Sequence, residues 1–269
     1  MVKSLMLFIN LLLLGGYTFA QDVDCSSKAV QDSLFDLYSA RAHKYSFLDD
    51  AWDMTYDSLL AICPNIAEAY QEKGHPYIAN GDYQKAFEYI NQAVALDPVR
   101  WTAYRGYLNC IYTRNYEKAV ADFLEAARLA PTGYIQDHTY AFFIAISYME
   151  LGEYEKAEQY FLKDIGQQKG GGGRNDIHFN SLLYFGMLYY LMNEFDRAEV
   201  HLRDCLQLYE QHPMANYYMA LILKVTGNSQ KDIYFDKAKQ YILEGYKMNE
   251  PYTYVGFPRQ ITLYEVEQR

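Results

Sequence analysis

One phrase recurs along this chain: a turn residue, a polar residue, an aromatic, two polar residues and an alanine, then apolar residues three and four apart. It runs GDYQKAFEYINQAVALDP from Gly81 to Pro98, RNYEKAVADFLEAARLAP from Arg114 to Pro131, GEYEKAEQYFLKDI from Gly152 to Ile165, and NEFDRAEVHLRDCLQL from Asn193 to Leu208. The shared alanines are Ala86, Ala119, Ala157 and Ala198. A fifth, Ala238 in YFDKAKQYILEGY, follows a lengthened turn after Gly227. Spacings of three and four are those of an amphipathic helix. Each block is preceded by a second helical segment, as AEAYQEKGHPYIANG with Tyr70, Gly74 and Tyr77 precedes the first and LLYFGMLYYLMNE with Leu182, Gly186 and Tyr189 precedes the fourth. Glycine and alanine stand where two helices approach too closely for a larger side chain. A chain written this way must stack helix pairs, because one pair alone cannot bury its apolar face.

In these residues the sequence resembles the tetratricopeptide repeat family, with Pro98 and Pro131 at the place of the proline that closes a repeat. The resemblance implies an all-α fold, a right-handed α-solenoid of antiparallel helix pairs, over residues 67–251. Its units fall at 67–99, 100–133, 138–168, 177–212 and 213–251. Residues 21–66 are expected to hold a degenerate capping repeat, since an end unit has no neighbour to cover its face. There LDDAWDMTYDSLLAICP sets Trp52, Tyr56, Leu59 and Ile62 on one helical face and ends at Pro64. Pro76, inside the first helix of the first full unit, is expected to kink or end it. The alanine spacing widens from 33 residues to 38, 41 and 40, so the later units carry extra loop residues. Residues 252–269 form a tail in which Ile261 and Leu263 alternate as in an extended segment.

Between the third and fourth units lies KGGGGRND, residues 169–176. No GK[ST] follows the glycines and no strand precedes them, so a phosphate loop is not indicated; the register makes the stretch a glycine-rich joint. At the other end, Met1-Val2-Lys3, the apolar run Leu5 to Leu14 and the small-residue end Thr18-Phe19-Ala20 have the pattern of a signal peptide over residues 1–20. The run is shorter than the roughly 20 apolar residues of a membrane span. An exported protein is expected, in the periplasm or cell envelope or secreted, with no integral span once the signal is removed. Cysteines stand at Cys25, Cys63, Cys110 and Cys205 without a CxxC spacing. Four cysteines allow three pairings, and an oxidising compartment would favour one. Cys25 with Cys63 is the first pair to try, because both lie in the N-terminal region; four buried free thiols are the alternative. Together with the signal and the tyrosine load, Asn249-Glu250 and Phe257-Pro258-Arg259-Gln260-Ile261 are similar to exported tetratricopeptide proteins of the Bacteroidota type, a likeness that implies no known activity.

A formal charge of −10 and the absence of any long lysine or arginine run argue against nucleic acid as a partner. The six histidines show neither an i, i+4 pair nor HExxH, and no GxSxG is present, so no metal, cofactor or catalytic role is expected. What remains is binding. The family resemblance places Tyr104, Leu108, Phe142, Ile146, Leu183, Met187, Tyr217 and Leu221 on the concave groove, an apolar surface suited to a protein or peptide partner. Only Arg105 and Asn180 lie near the positions with which family members clamp a terminal carboxylate, so no such clamp is carried over. Either a partner segment occupies this groove or the tail PYTYVGFPRQITLYEVEQR covers it. Twenty-nine tyrosines leave a second kind of ligand open, a glycan or cell-wall polymer stacked on residues such as Tyr104 and Tyr217.

Overall fold

A computed structural model describes residues 23–169, 177–248 and 255–268. The stretch expected to be a signal peptide, the glycine-rich stretch from Gly170 to Asp176, Asn249-Glu250 and the first residues of the tail lie outside the described residues.

Helices α1 (Lys28–Ala42) and α2 (Asp50–Ile62) come first and pack together ahead of α3. Five helix pairs follow: α3 (Ala67–Asn80) with α4 (Tyr83–Leu96), α5 (Pro98–Tyr107) with α6 (Tyr116–Leu129), α7 (Tyr140–Glu150) with α8 (Tyr154–Gln168), α9 (Phe179–Leu191) with α10 (Phe195–Leu208), and α11 (Pro213–Val225) with α12 (Lys231–Leu243). Each pair packs closely together and against the next, the all-α solenoid expected from the repeats. A short antiparallel hairpin, β1 (Tyr134–Ile135) with β2 (His138–Thr139), leads into α7, and α13 (Leu263–Glu267) lies in the tail.

Local chemistry explains the boundaries. The first residue of each repeated phrase adopts a positive φ: 84° at Gly81, 55° at Arg114, 75° at Gly152 and 60° at Asn193. Such angles reverse the chain just past a helix end and favour glycine. The next helix is then capped by a side chain in two units, where Asp82 accepts from the Lys85 amide and Asn115 from the Lys118 amide. Asp97 caps α5 ahead of Pro98 at its first position, where a missing N–H costs nothing. The phrase alanines Ala86, Ala119, Ala157, Ala198 and Ala238 are all buried in helix contacts. Opposite Ala198 the fit is so close that a Cβ on Gly186 would lie 2.8 Å from Leu202 Cγ.

The second unit departs from the others. Gly74 precedes Ala86 by 12 residues and Gly186 precedes Ala198 by 12, but Gly106 precedes Ala119 by 13. The extra residue is absorbed by a π-helical turn, Leu108–Tyr112, in which the Thr113 amide reaches the Leu108 carbonyl at 3.1 Å.

Four expectations change. Of the kink or helix end expected at Pro76, the helix end is absent, since α3 runs on to Asn80. The carbonyl that loses its helical donor is that of Glu72, four residues back, and the Trp52 indole donates to it at 3.3 Å, removing much of the usual penalty for an interior proline. On α2, Trp52, Tyr56 and Leu59 are buried but Ile62 is exposed. The inward place at that helix end goes to Cys63, whose sulfur bonds to Cys25 across a Cα–Cα distance of 5.5 Å; Cys110 and Cys205 are free and buried. The hairpin before α7 was not expected; its turn residues Gln136 and Asp137 have φ of 49° and 63°. Finally, the tail is not extended throughout: Leu263 begins α13, where Thr262 and Glu265 form a reciprocal capping box.

Candidate binding groove

The first helices of successive units line one side of the solenoid, and the described tail lies across them. Phe257 and Pro258 are buried. The Tyr184 hydroxyl of α9 donates to the Pro258 carbonyl at 2.6 Å, and Arg114, after the π turn, donates to the Gly256 carbonyl. Arg259 pairs with Glu150 at the end of α7. Upstream, the Asn180 side chain donates to the Met248 carbonyl at 3.1 Å. Beyond the groove, Val266 of α13 is buried and Lys239 of α12 pairs with Glu267 at 3.0 Å.

Of the two alternatives for this face, a partner segment or the tail, the described tail residues lie over part of it. Leu108, Phe142, Ile146, Leu183 and Met187 are buried, within one continuous core that also takes in Met248 and Phe257. Tyr104, Tyr217 and Leu221 are half-buried at its margin. Tyr104 packs edge-on against Trp101 of its own helix, and Tyr217 against Phe235 of α12. The face assignment came from the repeat register, which says which way a side chain points and nothing about what lies over it.

Arg105 and Asn180 are not free to clamp a carboxylate. The Arg105 guanidinium holds Asp122 through Nε and Nη2, the latter at 2.6 Å, and Asn91 through Nη1. Asn109 also donates to Asp122, at 2.9 Å. These groups border a cavity of about 500 Å³ between α4, α5 and α6, walled by Tyr83 and Phe87. Asn180 is fully buried, with its amide oxygen 2.9 Å from His212 Nε2.

A buried polar cluster supports this end of the groove. His138 stacks on Phe142 with ring centres 4.0 Å apart and meets His178 edge-on at 4.4 Å. His178 caps α9 by accepting from the Asn180 amide. Burial, with the neighbouring His138 and His212 charges, drives the His178 pKa down to about 3, and burial alone takes His212 to about 3. Both rings are therefore neutral near pH 7. Asp164, buried below them, accepts from Thr139 at 2.8 Å and Gln168 at 2.6 Å, and its pKa is raised by burial against those hydrogen bonds. Among the described residues no three histidine, cysteine or acidic side chains are grouped to hold a metal ion. Nor is any described helix long and apolar enough to cross a membrane.

Tyr184, Glu150 and Arg114, the residues that hold the tail, were not singled out in the sequence. Tyr184 lies next to Leu183 on a helix apolar on every side, so periodicity could not separate the groove face from the packing faces.

Comparison with known proteins agrees with the architecture. Tetratricopeptide repeat models match residues 67–100 and 139–163, and a second such model matches 180–212. No curated protein sequence matches the chain. Among solved structures, PilW, a widely conserved type IV pilus biogenesis factor, superimposes with a TM-score of 0.61 at 17% identity, over 85% of this chain and 97% of that one. PilF of Pseudomonas aeruginosa gives 0.59 at 20% identity, over 80% and 91%. YrrB, a tetratricopeptide protein with an unusual peptide-binding site, gives 0.51 at 16% identity, over 69% and 91%. At these identities the likeness is one of fold.

Proposed function

From the premise that this chain belongs to the tetratricopeptide repeat family, we propose that it is an exported, non-catalytic scaffold that binds a protein segment on the concave face of its repeats. One observation carries the reading: first helices of different units, α7 and α9, together with Arg114, hold a single polypeptide segment through its main-chain carbonyls and one charged side chain. Main-chain hydrogen bonds combined with side-chain pockets are a recurring mode of peptide recognition, and stacked repeats form extended concave binding surfaces. The export half of the proposal rests on residues 1–20. The fold is one that a pilus biogenesis factor also uses, which suits a role in assembling an envelope complex.

The test is crosslinking capture with the tagged full chain in its native host, followed by identification of co-purified proteins. One or a few proteins are expected to be enriched over a tagged control, in the envelope or secreted fraction. Repeated capture with no enrichment would overturn the scaffold, and recovery of the chain only from the cytoplasm would overturn export.

A further inference from the structure

The manner in which the tail is held specifies what the groove recognises. Residues Phe257 to Gln260 form a β-turn: the Gln260 amide donates to the Phe257 carbonyl at 3.1 Å, and the Gln260 side-chain oxygen accepts from the Phe257 amide at 3.0 Å. Proline occupies the second position and Arg259, with φ of 57°, the third, which is the pattern of a type II turn. Three successive residues are then read by different parts of the solenoid, two through their side chains and one through its carbonyl. Phe257 is buried and faces His138, with ring centres 6.5 Å apart. The Pro258 carbonyl receives the buried Tyr184 hydroxyl, and Arg259 meets Glu150. The same tail is an imperfect ligand. A type II turn favours glycine at its third position, whereas Arg259 must hold a left-handed angle that costs a side-chain-bearing residue stability.

Building on the scaffold reading, we propose that the concave face of units 2 to 4 is a receptor for an aromatic-proline-basic turn, and that the tail is its built-in competitor. The partner is a protein segment that presents an aromatic ring, a proline and then a basic residue in such a turn. Its ring takes the place of Phe257, its proline carbonyl accepts from Tyr184 and its basic group pairs with Glu150. A tethered tail competes at the high effective concentration of an intramolecular ligand, so the free groove is a minor state. Binding of a partner segment and release of residues 255–268 are one equilibrium.

The probe is a fluorescein-labelled peptide of sequence VGFPRQITLYEVEQ, titrated by polarisation against the full chain and against full-length variants. The variant Phe257→Ala with Arg259→Glu weakens the tail while leaving every repeat residue in place; Arg259→Glu alone replaces the tail's half of the ion pair with Glu150 and leaves Phe257 in place. Circular dichroism and thermal melting check that each remains folded. Both variants are expected to bind the peptide at least about tenfold more tightly than the native chain, since the competitor is weakened. Adding Glu150→Arg to the double variant should abolish that gain, and a peptide with glutamate in place of its arginine should restore it. Equal affinity for native and tail-weakened chains, or no binding to folded variants, would overturn the proposal. So would a native chain that sediments as a dimer and becomes a monomer on Arg259→Glu, because the occupant would then be the tail of a second copy. Capture of a partner indifferent to the tail variants would overturn this inference and leave the scaffold standing. An empty capture beside a well-bound peptide would do the reverse.

Discussion

The two halves of the solenoid solve the same packing problem with opposite chemistry. In α3 and α5 the residue before the close-packing glycine is basic: Lys73 before Gly74 and Arg105 before Gly106. Lys73 is 3% exposed and reaches Asp53 and Asp57 of α2, while Arg105 holds Asp122 of α6. In α7, α9 and α11 the corresponding residues are Ile144, Phe185 and Met219, all buried. The N-terminal half thus fixes its helices by ion pairs and, between the residues before α1 and the end of α2, by the Cys25–Cys63 disulfide. The C-terminal half does so by volume, and adds a groove filled by its own tail. Buried ion pairs must repay their desolvation and are unforgiving of the loss of one partner, whereas apolar contacts lose stability in proportion to what is removed. The apolar half is also where acid should strike hardest, because the neutral histidines His178 and His212 lie in it.

Acid is the largest expected effect. Folded pKa values near 3, against an ordinary 6.5, mean that the unfolded state binds more protons between those limits. Stability contributed by the neutral rings is complete above about pH 6.5 and is lost as pH falls toward 3, on the order of 5 kcal/mol for each ring. His75 in the N-terminal half is lowered in the same sense by burial, and Asp164, raised by burial, works the other way. Urea unfolding at pH 7, 5 and 4 should show the C-terminal half failing first. His178→Asn with His212→Gln, which keep a cap acceptor and an amide donor, should flatten that pH dependence. An undiminished slope in the double variant would assign acid sensitivity to other groups.

Next in size is a direct contrast between the two chemistries. Phe185→Ala empties a buried site between Phe161 and His201 and should cost about 4 kcal/mol in denaturant unfolding. Arg105→Met should cost about 2 kcal/mol, less than a fully buried pair would because the arginine is partly exposed, by stranding Asp122. Adding Asp122→Leu should recover part of that loss, less than the whole because the buried Asn109 amide then lacks its acceptor. If the second substitution restores nothing, the pair is not what positions α5 against α6, and the division between the halves fails there.

How much of this could be read from sequence follows from the range of each interaction. Helix pairs were legible because glycine and alanine recur at a local spacing, and even the π turn is visible in retrospect as one residue too many between Gly106 and Ala119. The basic residues at Lys73 and Arg105 were equally open to view, as charges at positions that are apolar in the other units. The capping box of Thr262 and Glu265 was a local signal that the alternation of Ile261 and Leu263 obscured. Coverage of the groove was not legible. Arg259 lies 109 residues from Glu150, and Pro258 lies 74 from Tyr184, separations at which no periodicity links donor to acceptor. The survival of α3 through Pro76 has the same origin, since its substitute donor Trp52 comes from another helix.

The smallest effect isolates the tail from the repeats that carry it. Tyr184→Phe keeps the ring, and with it the contact to Phe142 at 5.7 Å between ring centres, but deletes the hydroxyl that donates to the Pro258 carbonyl. A buried hydrogen bond of this kind is worth about 1 kcal/mol, and the carbonyl is left without its donor. That loss falls on docking of residues 255–268 rather than on the solenoid, whose helices satisfy their own backbone groups. Amide exchange in the tail should therefore accelerate roughly fivefold, the factor equivalent to about 1 kcal/mol, with α9 and α10 unchanged. If exchange instead accelerates equally in α9, α10 and the tail, the tail is an integral layer of the core, and the contrast between a covered and an uncovered groove loses its physical basis.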